Sequence, residues 1–95
     1  MNNEVLEDRI AQMAFAPLAE VAEWLGRFTW VEVERGDGYV TARTPEMTVG
    51  IAGSSVDPVN QAVQLAFVFA GTCWPYVFPG LLRRVNRIWK EERTK

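Results

Sequence analysis

The chain contains no histidine and only one cysteine, Cys73, in 95 residues. Without histidine, neither a Ser-His-Asp nor a Cys-His nucleophilic system can be assembled, and histidine-based metal sites are excluded. One thiol can close neither an internal disulfide nor a multi-cysteine metal site, which fits a reducing compartment. A dominant charge is also missing. Ten basic against twelve acidic residues leave a net charge of -2, so the global field selects no class of partner. The early residues Glu4, Glu7, Asp8, Glu20 and Glu23 are not the basic start of a secretory signal, so a cytoplasmic location is expected. Long apolar runs are scarce. Pro58 to Leu82 carries no charge and is followed by Arg83, Arg84 and Arg87, as a membrane flank would be. Asn60, Gln61, Gln64, Thr72, Pro75 and Pro79 interrupt it, and its longest clean stretch, Leu65 to Gly71, falls well short of the ~20 residues a spanning helix needs. A soluble chain is expected, with membrane association through residues 58–82 as an alternative.

What is present is a globular composition, 48% hydrophobic and 23% charged. At this length it supports one core and therefore a single domain over residues 1–95. Leu6, Ile10, Met13, Ala14, Leu18, Val21 and Leu25 recur at helical spacing, so an N-terminal helix is predicted, kinked or split near Ala16 by Pro17. Gly26 is placed to end it in a left-handed conformation. Phe28 to Glu34 and Tyr39 to Arg43 read as strands, joined by a hairpin at Arg35-Gly36-Asp37-Gly38 whose glycines supply positive φ angles. Met47 to Ala52 is a third strand, ended by Gly53-Ser54-Ser55.

Two patterns compete over residues 58–70. Asp57-Pro58 is a good helix start and Gly71 a fitting stop. Against this, the large residues Val63, Leu65, Phe67 and Phe69 alternate with small or polar Ala62, Gln64, Ala66 and Ala70. A helix here would be apolar all round, so the alternation is read as a fourth strand. Finally, Leu81, Leu82, Val85, Ile88 and Trp89 make one stripe of an amphipathic helix from Pro79 to Glu92. The expected class is α+β: an N-terminal helix, an antiparallel sheet of four strands (three if 58–70 is helical), and a C-terminal helix, with the helices on one face of the sheet.

Alternation then assigns the faces. Val31, Val33, Val40, Ala42, Met47, Val49, Ile51, Val63, Leu65, Phe67 and Phe69 form the expected core face. The other face carries Phe28, Trp30, Glu32, Glu34, Tyr39, Thr41, Arg43, Thr48, Ala66 and Val68. Aromatic and aliphatic groups on a face the helices leave bare mark an interaction surface. The alternative is that Thr72 to Phe78, with Trp74 and Tyr76, folds back over it. Residues 1–34 hold seven acidic and two basic side chains, and residues 83–95 six basic and two acidic ones. The two terminal helices should therefore lie side by side.

Other motifs have simpler readings. Gly50-Ile51-Ala52-Gly53-Ser54-Ser55 lacks the lysine of a phosphate loop, and Arg35-Gly36-Asp37 is turn chemistry rather than an adhesion motif. Cys73 has no group to activate it and reads as a small buried hydrophobe. Glu32 and Glu34 lack partners for acid–base work. Arg83, Arg84, Arg87 and Lys90 could contact nucleic acid, but Glu91 and Glu92 interrupt them and a solvated helix face suffices. The helix–sheet–helix order with an apolar outer face resembles, in architecture alone, small dimeric secretion-chaperone-like modules.

The expectation is a non-enzymatic protein-interaction domain of adaptor, chaperone, immunity or inhibitor type, with no cofactor, metal or catalytic residue. It would bind a protein partner or itself, as a homodimer, through Phe28, Trp30, Tyr39, Val68, Trp74 and Tyr76. The alternatives are nucleic-acid binding through the C-terminal helix, a phage-encoded inhibitor of a host defence complex, and the membrane association named above.

Overall fold

The computed structural model describes residues 3–52 and 57–93. Helices α1 (Asn3–Met13) and α2 (Leu18–Leu25) lead into strands β1 (Glu32–Gly36), β2 (Tyr39–Arg43) and β3 (Thr48–Ala52). Helix α3 (Pro58–Ala70), a 3-10 turn at Gly71–Cys73, the short α4 (Trp74–Val77) and α5 (Leu81–Arg93) follow. The class is α+β, with one antiparallel sheet of order β1-β2-β3 among the described residues.

Proline splits the N-terminal helix as its chemistry requires. Pro17 adopts extended backbone (φ -64°, ψ 155°), and its carbonyl accepts the first N–H groups of α2, from Glu20 at 3.0 Å and Val21 at 3.1 Å. At the break Met13 O accepts only the turn bond from Ala16 N at 3.2 Å, and a distant side chain adds bonds to the carbonyls there. Buried Gln61 donates its Nε2 hydrogens to Met13 O at 2.8 Å and Ala16 O at 3.0 Å. Gln61→Leu keeps the volume and removes both bonds, so unfolding free energy should fall by about 2 kcal/mol, read as a lower denaturant midpoint.

Several expectations need correction. Residues 58–70 form a helix, not a fourth strand. The Asp57 carboxylate accepts the Asn60 N–H at 3.1 Å, Pro58 occupies the first turn, and Gly71 ends the helix at φ 58°. An apolar helix is tolerable here because it is central, packed against β3, α1 and α5 with Ala62, Leu65, Ala66 and Val68 buried. Strand β1 begins at Glu32 rather than Phe28. Hydrogen bonds from Arg27 N to Trp24 O (3.2 Å), Phe28 N to Leu25 O (3.1 Å) and Val31 N to Phe28 O (3.1 Å) carry the helix end on through turns. Gly26 accordingly stays right-handed at φ -66°, not left-handed. In the hairpin only Gly38 has positive φ, at 81°. Gly36 serves differently: it pairs with Tyr39, and a Cβ there would fall inside the Tyr39 ring. The proposed strand end at Gly53-Ser54-Ser55, and with it the second half of the glycine-rich motif, lies outside the described residues.

Burial alternates along the sheet. Val40, Ala42, Val49 and Ile51 are buried, whereas Tyr39, Arg43, Thr48, Gly50 and Ala52 are exposed. Helix α2 packs against β1 and β2, and α3 against β3. No single helix among the described residues is long and apolar enough to cross a membrane; Pro58–Val77 and Leu81–Glu92 meet at 101°.

The charge asymmetry of the two ends resolves into a defined contact between α1 and α5. Glu7 on α1 is buried, and its Oε1 accepts from Arg84 Nε at 2.6 Å while its Oε2 accepts from the Gly80 N–H at 3.3 Å. Asp8 stands 3.6 Å from the same guanidinium.

Candidate protein-interaction surface

Four rings meet at one end of the molecule. Trp24 lies in the last turn of α2, Phe28 and Trp30 in the turns before β1, and Phe69 in the last turn of α3. Phe69 is the hub: its ring centroid is 5.3 Å from Trp24, 5.1 Å from Phe28 and 5.6 Å from Trp30. Phe28 also meets Trp24 edge-on at 5.6 Å and Trp30 at 5.9 Å. Edge-on and tilted contacts suit the ring quadrupoles, each worth about 0.5–1.5 kcal/mol beyond simple burial. The cluster therefore holds its own shape.

It is nevertheless incompletely covered. Trp30 keeps 42% of its surface exposed, and Val5 on α1, at 63%, lies beside the same region. Val5, Leu6, Arg9, Trp24 and Phe28 line a shallow groove between α1 and the aromatic turn. Its walls are apolar except for Arg9. A side chain entering it would find ring faces and aliphatic carbon, with one guanidinium at the margin.

The expected interface residues separate in space. Phe28 and Trp30 belong to this cluster, but in turns rather than on an open sheet face. Tyr39 is exposed on the sheet, packed over Gly36. Val68 is buried in the core on α3, Trp74 is half-buried, and Tyr76 is 89% exposed on α4. Residues Thr72 to Phe78 form the 3-10 turn and α4 and pack on α3. The uncovered sheet face is mainly polar: Glu32, Glu34, Thr41 and Arg43 frame a shallow depression, with Arg43 3.7 Å from Glu32. That ion pair is exposed and contributes little. Trp24 and Phe69 were not expected at the site. The signal for Trp24 was its four-residue spacing from Phe28; Phe69 became recognisable only once its segment is helical.

The basic helix is also divided. Arg84 turns inward to Glu7, whose hydrogen bond is the main cause holding its pKa above the ordinary arginine value. Arg83, Arg87 and Lys90 remain exposed. Cys73 is exposed, contrary to the buried role expected of it, because the 3-10 turn directs it outward from the end of α3. Among the described residues no group of three His, Cys, Asp or Glu side chains is placed to hold a metal ion. Comparison with protein-family models, curated proteins and solved structures finds no match to this chain.

Proposed function

We propose that this chain is a non-enzymatic protein-binding domain of the adaptor or inhibitor kind, and that its partner docks on the aromatic end. The observation supporting this is a groove lined by Val5, Leu6, Arg9, Trp24 and Phe28, with Val5 exposed at its rim and the partly exposed Trp30 next to it in ring contact with Phe28. Aromatic residues held rigidly by neighbours lose little entropy on binding and are enriched among residues that dominate interface energy. An apolar side chain of the partner would fill the groove, with Trp30 packing against it.

The test is affinity capture with the parent chain and with Trp30→Ala, followed by titration of any partner recovered. Trp30→Ala should weaken binding by tenfold or more while leaving the circular dichroism spectrum unchanged, since the ring is partly solvated in the free chain. Tyr39→Ala, on the sheet, should leave affinity within about twofold of the parent. A partner insensitive to Trp30→Ala and lost with Tyr39→Ala would move the site to the sheet.

A further inference from the structure

We infer that the outer edge of β3 pairs with β3 of a second copy of this chain, producing a homodimer with a continuous six-stranded sheet. This inference rests on the strand edges and is independent of the aromatic end. In the order β1-β2-β3, each outer strand has one side without a ladder partner among the described residues. Such an edge presents unpaired N–H and C=O groups and recruits another strand unless the sequence prevents it.

The two edges are treated oppositely. Strand β1 reads Glu32-Val33-Glu34-Arg35-Gly36, with three charges in five residues. Two copies paired antiparallel through β1 would gather Glu32 and Glu34 of both chains on one face, which disfavours self-pairing. Strand β3 reads Thr48-Val49-Gly50-Ile51-Ala52 and contains neither a charge nor a proline. Two of the usual guards against pairing, an edge charge and an edge proline, are therefore missing from it.

Its pattern is also self-complementary. Val49 and Ile51 are buried on the core side, while Thr48, Gly50 and Ala52 face outward. An antiparallel pairing centred on Gly50 sets Val49 opposite Ile51 and Thr48 opposite Ala52. Branched aliphatics then meet across the core face and small residues across the open face. A Cβ built on Gly50 meets nothing within 4 Å, so the open face presents no obstruction at the centre of the pairing. The two-fold arrangement closes on itself, and the charged β1 strands become the ends of the enlarged sheet.

Sedimentation equilibrium of the full chain tests this directly. The parent should have twice the mass of one chain. Gly50→Lys places like charges opposite one another at the seam, and should weaken self-association at least tenfold with the circular dichroism spectrum retained. Thr48→Lys gives the same readout should Gly50→Lys fail to fold, and Glu34→Lys on the other edge should leave the dimer intact. A parent with the mass of one chain at every concentration overturns the inference. A dimer that survives both lysine variants, or that is broken by Trp30→Arg instead, overturns it as well.

Discussion

Glu7→Ala is expected to lower the free energy of unfolding by about 3 kcal/mol, because two hydrogen bonds to a buried carboxylate disappear together. The Glu7 side chain is only 7% exposed, and it holds both the Arg84 guanidinium and the Gly80 N–H at the start of α5. The contact joins the first and last helices, residues separated by more than seventy positions in the chain. Gly80 is part of the arrangement: a Cβ there would stand 2.7 Å from the Glu7 carboxylate, so Gly80→Ala should weaken the same contact. The order of effects is informative. Glu7→Ala leaves Arg84, already partly exposed, free to turn into water. Arg84→Ala instead leaves a carboxylate buried with the Gly80 N–H alone, and should therefore be the more damaging single change. The double variant should recover part of that loss, a coupling visible in a double-mutant cycle of urea midpoints. Strictly additive midpoints would show that the two side chains act independently.

The opposite charges of the chain ends foretold that α1 and α5 would be neighbours. They did not single out Glu7, which sits three residues before Ile10 and so on the flank of the buried stripe. Patterns carried by one helix or one turn were readable in general. Pro17 divides α1 from α2, and β2 runs from Tyr39 to Arg43 as its β-branched and aromatic residues imply. The helix α3 was announced by its ends, Asp57-Pro58 and Gly71, but its interior alternates large and small. The reason lies in its position. A helix packed by several elements needs small residues such as Ala62 and Ala66 where neighbours approach closely, and these fall between larger side chains in a rhythm that imitates a strand. The aromatic cluster is hidden by the same ambiguity. Alternation pairs Phe28 with Trp30, yet on a strand that starts four residues later, and it places Phe69, the ring that joins them, on the core face of a sheet. A cluster assembled from the end of α2, a turn and the end of α3 is a tertiary fact, and local periodicity carries no record of it.

Phe78→Ala should be the most damaging truncation in the second half of the chain, with a loss of about 3–5 kcal/mol. Phe78 is among the largest fully buried side chains, at the junction between α4 and α5. Its backbone N–H donates to Trp74 O at 2.8 Å and its carbonyl accepts from Leu81 N at 3.2 Å, so the ring is fixed between the two helices. The surrounding segment has little else in the core: Thr72, Cys73, Pro75 and Tyr76 are exposed, and Trp74 and Val77 only half-buried. Removing the ring would leave a cavity and loosen α4 from α3, lowering the thermal midpoint by roughly 15 °C or more for a domain of this size. Tyr76→Ala is the matched control, two residues away and similar in bulk. At 89% exposure Tyr76 should change stability by less than about 0.5 kcal/mol. A comparable fall in midpoint for both variants would mean that α4 is held by its exposed aromatic face as much as by Phe78, and that Tyr76 already has an occupant on its surface in the isolated chain.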